Sequence, residues 1–183
     1  MTVDEDLYDN PPPLLQALWD GDFDTAARLI EEGARLDDLI ETDGNTLLHD
    51  AAQDGRLDMV DFFLRHDSPR SRESYDEIAE TPLVRAADSG QTEVVARLLA
   101  AGVDPNNRDE QKIGNTAIRE AVRGGHVDIV RMLLDARADP TIPGWMGISA
   151  VDQAWYGVEG GGAAERAIRK LLRRFPSKVR DGD

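Results

Sequence analysis

Cysteine is absent from the 183 residues, which excludes disulfides, cysteine-based zinc sites and thiol chemistry. Aromatic residues make up only 5% of the chain, so any core must be built from Ala, Leu, Val and Ile. That composition favours small, closely packed helices. No apolar run approaches the roughly 18 residues needed to span a bilayer. The opening residues, MTVDEDLYDNPPP, are acidic and lack an apolar stretch, which predicts no secretory signal there. A soluble, cytoplasmic chain is expected. Lysine occurs only at positions 112, 170 and 178, so nearly all positive charge is arginine.

The formal charge is −15, and it is unevenly distributed. Residues 1–62 carry 17 acidic and 3 basic side chains, residues 63–162 carry 16 and 11, and residues 163–183 carry 3 and 7. An acidic field of this kind opposes nucleic-acid phosphates. It favours a protein partner with a basic patch and accelerates encounter with one.

One sentence is written three times. GNTLLHDAAQDGRLDMVDFFL begins at residue 44, AETPLVRAADSGQTEVVARLL at 79 and GNTAIREAVRGGHVDIVRMLL at 114, a period of 35 residues. Thr46, Thr81 and Thr116 coincide, as do Leu48, Leu83 and Ile118, and Ala51, Ala86 and Ala121. Gly55, Gly90 and Gly125 follow in register, then Val60, Val95 and Val130, and Leu64, Leu99 and Leu134. Thr offers a helix N-cap oxygen, and Pro82 suits a first helical position. The apolar residue and the Ala share one helix face. The glycine ends the first helix in a left-handed conformation, and a second amphipathic helix follows. Helices of about eight to ten residues are too short to stand alone in water. They must gain their stability by stacking, repeat upon repeat.

The pattern resembles the ankyrin repeat, whose T-P-L-H-x-A signature and period of about 33 residues it follows. The resemblance is strongest over residues 42–141. It extends upstream through Leu14, Ala17, Gly21 and Gly33, and downstream from Ser149. It implies an all-α fold, a solenoid of about five stacked helix–turn–helix repeats with atypical capping repeats. The expected divisions are an acidic arm at 1–12, one repeat domain at 13–174 and a tail at 175–183. The repeats are placed at 13–41, 42–76, 77–111, 112–144 and 145–174. The chain departs from the signature in its longer period and in Leu47 and Ala117 at the proline position. Val84, Arg119 and Asp152 stand where His49 keeps the family histidine. The second repeat ends in RHDSPRSRESYDEIAE, from Arg65 to Glu80, in place of the usual turn, with a loop at about 66–80, and GVEGGG at 157–162 expands the last inter-helix turn.

The resemblance further implies a concave binding face formed by the turns and the exposed side of each first helix. The residues carried over to that face are Tyr8, Trp19 and Asp20; Asp43, Asn45, Asp50, Gln53 and Asp54; and Glu77, Ile78, Glu80, Arg85 and Asp88. Lys112, Ile113, Asn115, Glu120 and Arg123 follow in the fourth repeat, and Trp145, Met146 and Tyr156 in the last. Trp155 falls on a core position and is expected to fill the cap. No histidine pair has the spacing of a zinc helix, no Ser stands in G-x-S-x-G, and GVEGGG lacks the Lys-Ser/Thr ending of a phosphate loop. No metal, cofactor or catalytic residue is expected. The functional expectation is a non-enzymatic binding protein, monomeric alone, that binds neither nucleic acid nor membrane. It is read as a bacterial inhibitor or immunity-type protein masking a basic toxin or enzyme, or as an adaptor tethering proteins. A phosphate-binding or hydrolytic enzyme is the reading from another class.

Overall fold

A computed structural model describes residues 11–39, 47–66, 80–108, 114–156 and 162–177. Among them are ten α-helices in five consecutive pairs. The first pair is α1 (Pro13–Asp20) and α2 (Phe23–Glu31), and the second is α3 (Leu47–Asp54) and α4 (Leu57–His66). Then come α5 (Pro82–Asp88) with α6 (Thr92–Ala100), and α7 (Ala117–Arg123) with α8 (Val127–Asp135). The last pair is α9 (Ala150–Trp155) with α10 (Ala163–Leu172). Short 3₁₀ turns occur at Leu36–Leu39 and Trp145–Gly147. The result is the expected stack of about five helix–turn–helix units.

Most helices have the expected eight to ten residues, but three first helices are shorter. The first helices of the last three pairs have seven, seven and six residues. Hydrogen bonding within so few turns cannot offset nucleation, so contact between repeats must hold them. First helices pack on first helices, α3 on α5, α5 on α7 and α7 on α9, while second helices form a parallel layer running from α2 to α10. Alanine makes the close approach possible: Ala51, Ala52, Ala86, Ala87, Ala121 and Ala150 are all essentially inaccessible. The larger side chains lie between the layers, where Leu48, Leu83, Ile118, Val60, Val95 and Val130 are fully buried. Phe62 is the largest fully buried side chain and packs on Phe23 of the preceding repeat at 5.3 Å between ring centres.

The turn glycines behave as the register predicts. Gly21, Gly55, Gly90 and Gly125, between the helices of the first four pairs, have φ of 71°, 73°, 74° and 75°. This is left-handed backbone that glycine adopts without steric cost. The second helices close through Gly33 and Gly102 in the same region, but the fourth repeat places Arg137 there at φ 69°.

The N-caps differ from one another. Thr81 Oγ1 accepts from Val84 N at 3.3 Å. Ser149 and Asp152 form a reciprocal capping box, with Asp152 N donating to Ser149 Oγ at 3.1 Å. Thr116 does not cap: its buried hydroxyl has no hydrogen-bond partner. Thr46 lies outside the described residues, as do residues 40–45, 67–79 and 109–113. Of GVEGGG only Gly162 is described, as the N-cap of α10. Beyond α10 the chain folds back, and buried Ser177 donates to Asp152 Oδ1 at 3.0 Å. Contacts with the last repeat thus run past residue 174. Trp155 packs against the core, as expected of a cap residue.

Candidate functional site: the first-helix and turn face

Equivalent positions of successive first helices stand side by side in the stack. Seven residues after the capping position the sequence supplies Gln53, Asp88, Arg123 and Tyr156. Four residues after it come Asp50, Arg85, Glu120 and Gln153. These two rows form a polar ladder across the repeats. Arg85 Nη1 donates to Gln53 Oε1 in the preceding repeat at 2.6 Å, and its Nε pairs with Glu80 at 3.3 Å. Arg123 reaches back to Asp88 of the third repeat and also binds Glu120 within its own.

Glu120 needs correction as a contact residue. Its side chain is 1% exposed, because Arg119 and Arg123 flank it and both donate to it. A carboxylate buried to this degree requires such pairing. Arg119, at the family's histidine position, is buried as well and donates to Glu120 Oε1 at 2.9 Å, leaving its Nε without a partner. Glu120 therefore acts through Arg123, whose guanidinium remains about half exposed. The hydrogen bond to Glu120, reinforced by the charges of Glu120, Asp88 and Glu80, holds Arg123 above the usual arginine pKa.

A second set of bonds fixes the repeats behind this ladder. His49 Nε2 faces Glu80 O at 3.1 Å, as expected of a signature histidine. Gln91 Nε2 donates to Gln53 O at 2.8 Å, and His126 Nε2 meets Asp88 O at 3.1 Å. Gln91 and His126 occupy the same repeat position, ten residues after Thr81 and Thr116. Each therefore closes the C-terminal end of the preceding first helix. The turn glycines provide the space: a Cβ on Gly55 would lie 2.5 Å from Gln91 Oε1, and one on Gly90 2.7 Å from His126 Cε1. Neither Gln91 nor His126 shows this role by residue type, and the spacing of these glycines points only to a backbone role.

The last turn is built to project apolar side chains. Trp145 is 61% exposed and Met146 is 70% exposed. Trp145 N donates to Asn115 Oδ1 at 3.0 Å, tying the turn to the fourth repeat. Gly144 N donates to Ile148 O at 3.0 Å and closes it. Met146 lies at φ 61°, left-handed backbone that is costly for a side-chain-bearing residue. Tyr156, at the far end of α9, is 59% exposed.

At the other end of the stack Trp19, Asp20, Asp50, Gln53 and Asp54 are exposed. Asp20 accepts from Gln16 at 2.8 Å. Glu80, Arg85 and Asp88 are half-buried members of the ladder, and Asn115 is half-buried beneath Trp145. Tyr8, Asp43, Asn45, Glu77, Ile78, Lys112 and Ile113 lie outside the described residues. Among the described residues, no group of three His, Cys, Asp or Glu side chains could hold a metal ion. No helix there is long and apolar enough to cross a membrane.

The family model described as ankyrin repeats, in three copies, matches residues 14–109 and 73–143. No curated protein matches the chain. The paired helices, the left-handed glycines in register and this match over most of the sequence agree: the chain belongs to the ankyrin-repeat family, whose repeats suggest a scaffold for protein–protein interaction.

Proposed function

We propose that this chain is a non-enzymatic binding protein whose first-helix and turn face holds a partner protein by two unlike ends. One end is acidic, with Asp20 and Asp54 exposed in the first two repeats. The other is apolar, formed by Trp145, Met146 and Tyr156. Among the described residues the middle offers little free charge, because Arg85 and Arg123 already pair with Glu80, Asp88 and Glu120. The observation that carries the reading is the Trp145–Met146 turn. Two large apolar side chains are held in water on a backbone that is strained at Met146. Strain and exposure together are characteristic of a contact surface. Trp is also among the residues that most often anchor interfaces.

A partner with a basic patch beside an apolar pocket fits this face. The overall charge of −15 supports the sharper form, an inhibitor or immunity-type protein that masks a basic toxin or enzyme. A catalytic reading has no free acid in the core to build on among the described residues. Glu120 is occupied by two arginines, and Asp152 by Ser149 and Ser177.

Immobilised chain, challenged with host lysate at increasing salt, tests the proposal. Trp145→Ala with Met146→Ala should weaken retention by about thirtyfold or more, the effect of losing an anchor worth about 2 kcal/mol. Asp20→Lys with Asp54→Lys should remove the salt-sensitive part. Retention unchanged in both variants, with helical circular dichroism intact, would place the partner elsewhere.

A further inference from the structure

The end of the stack carries a surface of opposite sign. A groove of about 780 Å³ runs between α8 and α10, lined by Arg131, Lys170, Arg173 and Arg174 around Leu134, Leu171 and Ala167. Asp135 is the only acid in the lining. The groove lies between second helices and so belongs to the layer opposite the first-helix face. Lys170 and Arg174 are exposed, while Leu134 and Leu171 are half-buried. Arg131 is held only by an exposed pair with Asp128, an interaction that contributes little in water. A ring of cations around an aliphatic floor fits an acidic peptide bearing a large apolar side chain. A free phosphate would gain nothing from that floor.

Such a peptide exists in this chain. Residues 3–9 read VDEDLYD, with Asp4, Glu5, Asp6 and Asp9 flanking Leu7 and Tyr8. Four carboxylates surrounding two apolar side chains complement four cations surrounding two leucines. The Leu7–Tyr8 pair cannot fill its own groove. Tyr8 and Leu7 stand three and four residues before Pro11, and at about 3.5 Å per residue they reach roughly 10–14 Å from it. The groove lies three repeat steps or more away from α1, each roughly 8–10 Å. We infer that the groove between α8 and α10 receives the acidic N-terminal segment of a second copy, so that copies associate head to tail in place of the monomer expected from sequence. Each copy carries −15 overall, but at physiological salt the Debye length is about 8 Å. The local contacts of opposite sign therefore outweigh the repulsion between whole molecules. The contact joins two different surfaces, which makes the assembly open-ended rather than a symmetric dimer.

Sedimentation velocity of the full chain across a concentration series tests this, with a labelled peptide of residues 1–12 as a direct probe. Association that rises with concentration and weakens above roughly 0.5 M salt is expected. Lys170→Glu with Arg174→Glu should weaken both self-association and peptide binding by roughly tenfold or more. Replacing Asp4, Asp6 and Asp9 by Asn and Glu5 by Gln should do the same for self-association. The decisive arm mixes the two variants. One retains the acidic segment and the other the groove, so together they should form a one-to-one pair that neither forms alone. A chain that stays monomeric throughout, association or peptide binding indifferent to the groove variant, or a groove that takes heparin while ignoring the peptide would each overturn the proposal.

Discussion

Gly90→Ala tests whether the turn glycines hold the stack together or only bend the chain. Two costs are expected. Alanine at φ +74° carries about 1–2 kcal/mol of left-handed strain, offset by about 0.5–1 kcal/mol from the lower entropy of its unfolded state. Its Cβ would also lie 2.7 Å from His126 Cε1, so the imidazole must leave. Its departure breaks the contact with Asp88 O, a hydrogen bond worth about 0.5–1.5 kcal/mol, and with it the packing against the third repeat. With a net backbone cost of about 1 kcal/mol, the total is about 1.5–2.5 kcal/mol. Gly102→Ala is the control, because Gly102 has φ +84° and nothing within 4 Å of a new Cβ. It should show the backbone cost alone, about 1 kcal/mol. With His126→Ala in the background, Gly90→Ala should fall to the Gly102 value, giving a coupling of about 0.5–1.5 kcal/mol between the two sites. Urea unfolding followed by circular dichroism measures all of these. Equal losses for Gly90→Ala and Gly102→Ala, or a Gly90 loss unchanged without His126, would refute the double role of the glycine.

The capping positions should separate in the same assay. Ser149→Ala removes a capping box and should cost about 1 kcal/mol, whereas Thr116→Val removes a buried hydroxyl without a partner and should be neutral or stabilising. Arg137→Gly relieves left-handed strain at φ 69° and should raise the unfolding midpoint, by about 0.5–1 kcal/mol after the entropy cost of glycine. Asp22 caps α2 by accepting from Thr25 N, and that bond lowers its pKa below the usual carboxylate value of 3.8. A lowered folded-state pKa stabilises the fold at pH above 3.8 and loses that contribution as pH falls through the folded value. An acid titration of stability should show this component in the wild type and lack it in Asp22→Asn, which caps without titrating.

The architecture was legible because each signal is local and recurs. Gly55, Gly90 and Gly125 announce left-handed turns by their spacing alone, and the alanines announce close helix contact. What failed were inferences that turned on side-chain partners the repeat pattern does not name, within one repeat or across two. Glu120 was expected to face a partner because the resemblance carries its repeat position to the binding face, and its counterpart in the second repeat, Asp50, does face solvent. In the fourth repeat Arg119 and Arg123 flank the acid, and two hydrogen bonds draw it inward. Thr116 has the residue type of a cap, yet its hydroxyl forms no cap bond in the folded chain. Gln91 has no signal in the sequence, and only the neighbouring carbonyl of Gln53 gives it a role. The Trp145 turn was placed on the face by the resemblance, but its closure through Gly144, Asn115 and Met146 follows from backbone geometry that no residue type announces.

The central claim is that partners bind across the first helices and their preceding turns. Hydrogen exchange, compared between the free chain and the chain saturated with the protein it retains at low salt, tests this most directly. Slowed exchange at Trp145–Gly147 and along α3, with the outer helices α4 and α6 unchanged, is the predicted footprint. Protection confined to α4, α6 and α8, with the Trp145 turn exchanging as in the free chain, would contradict it.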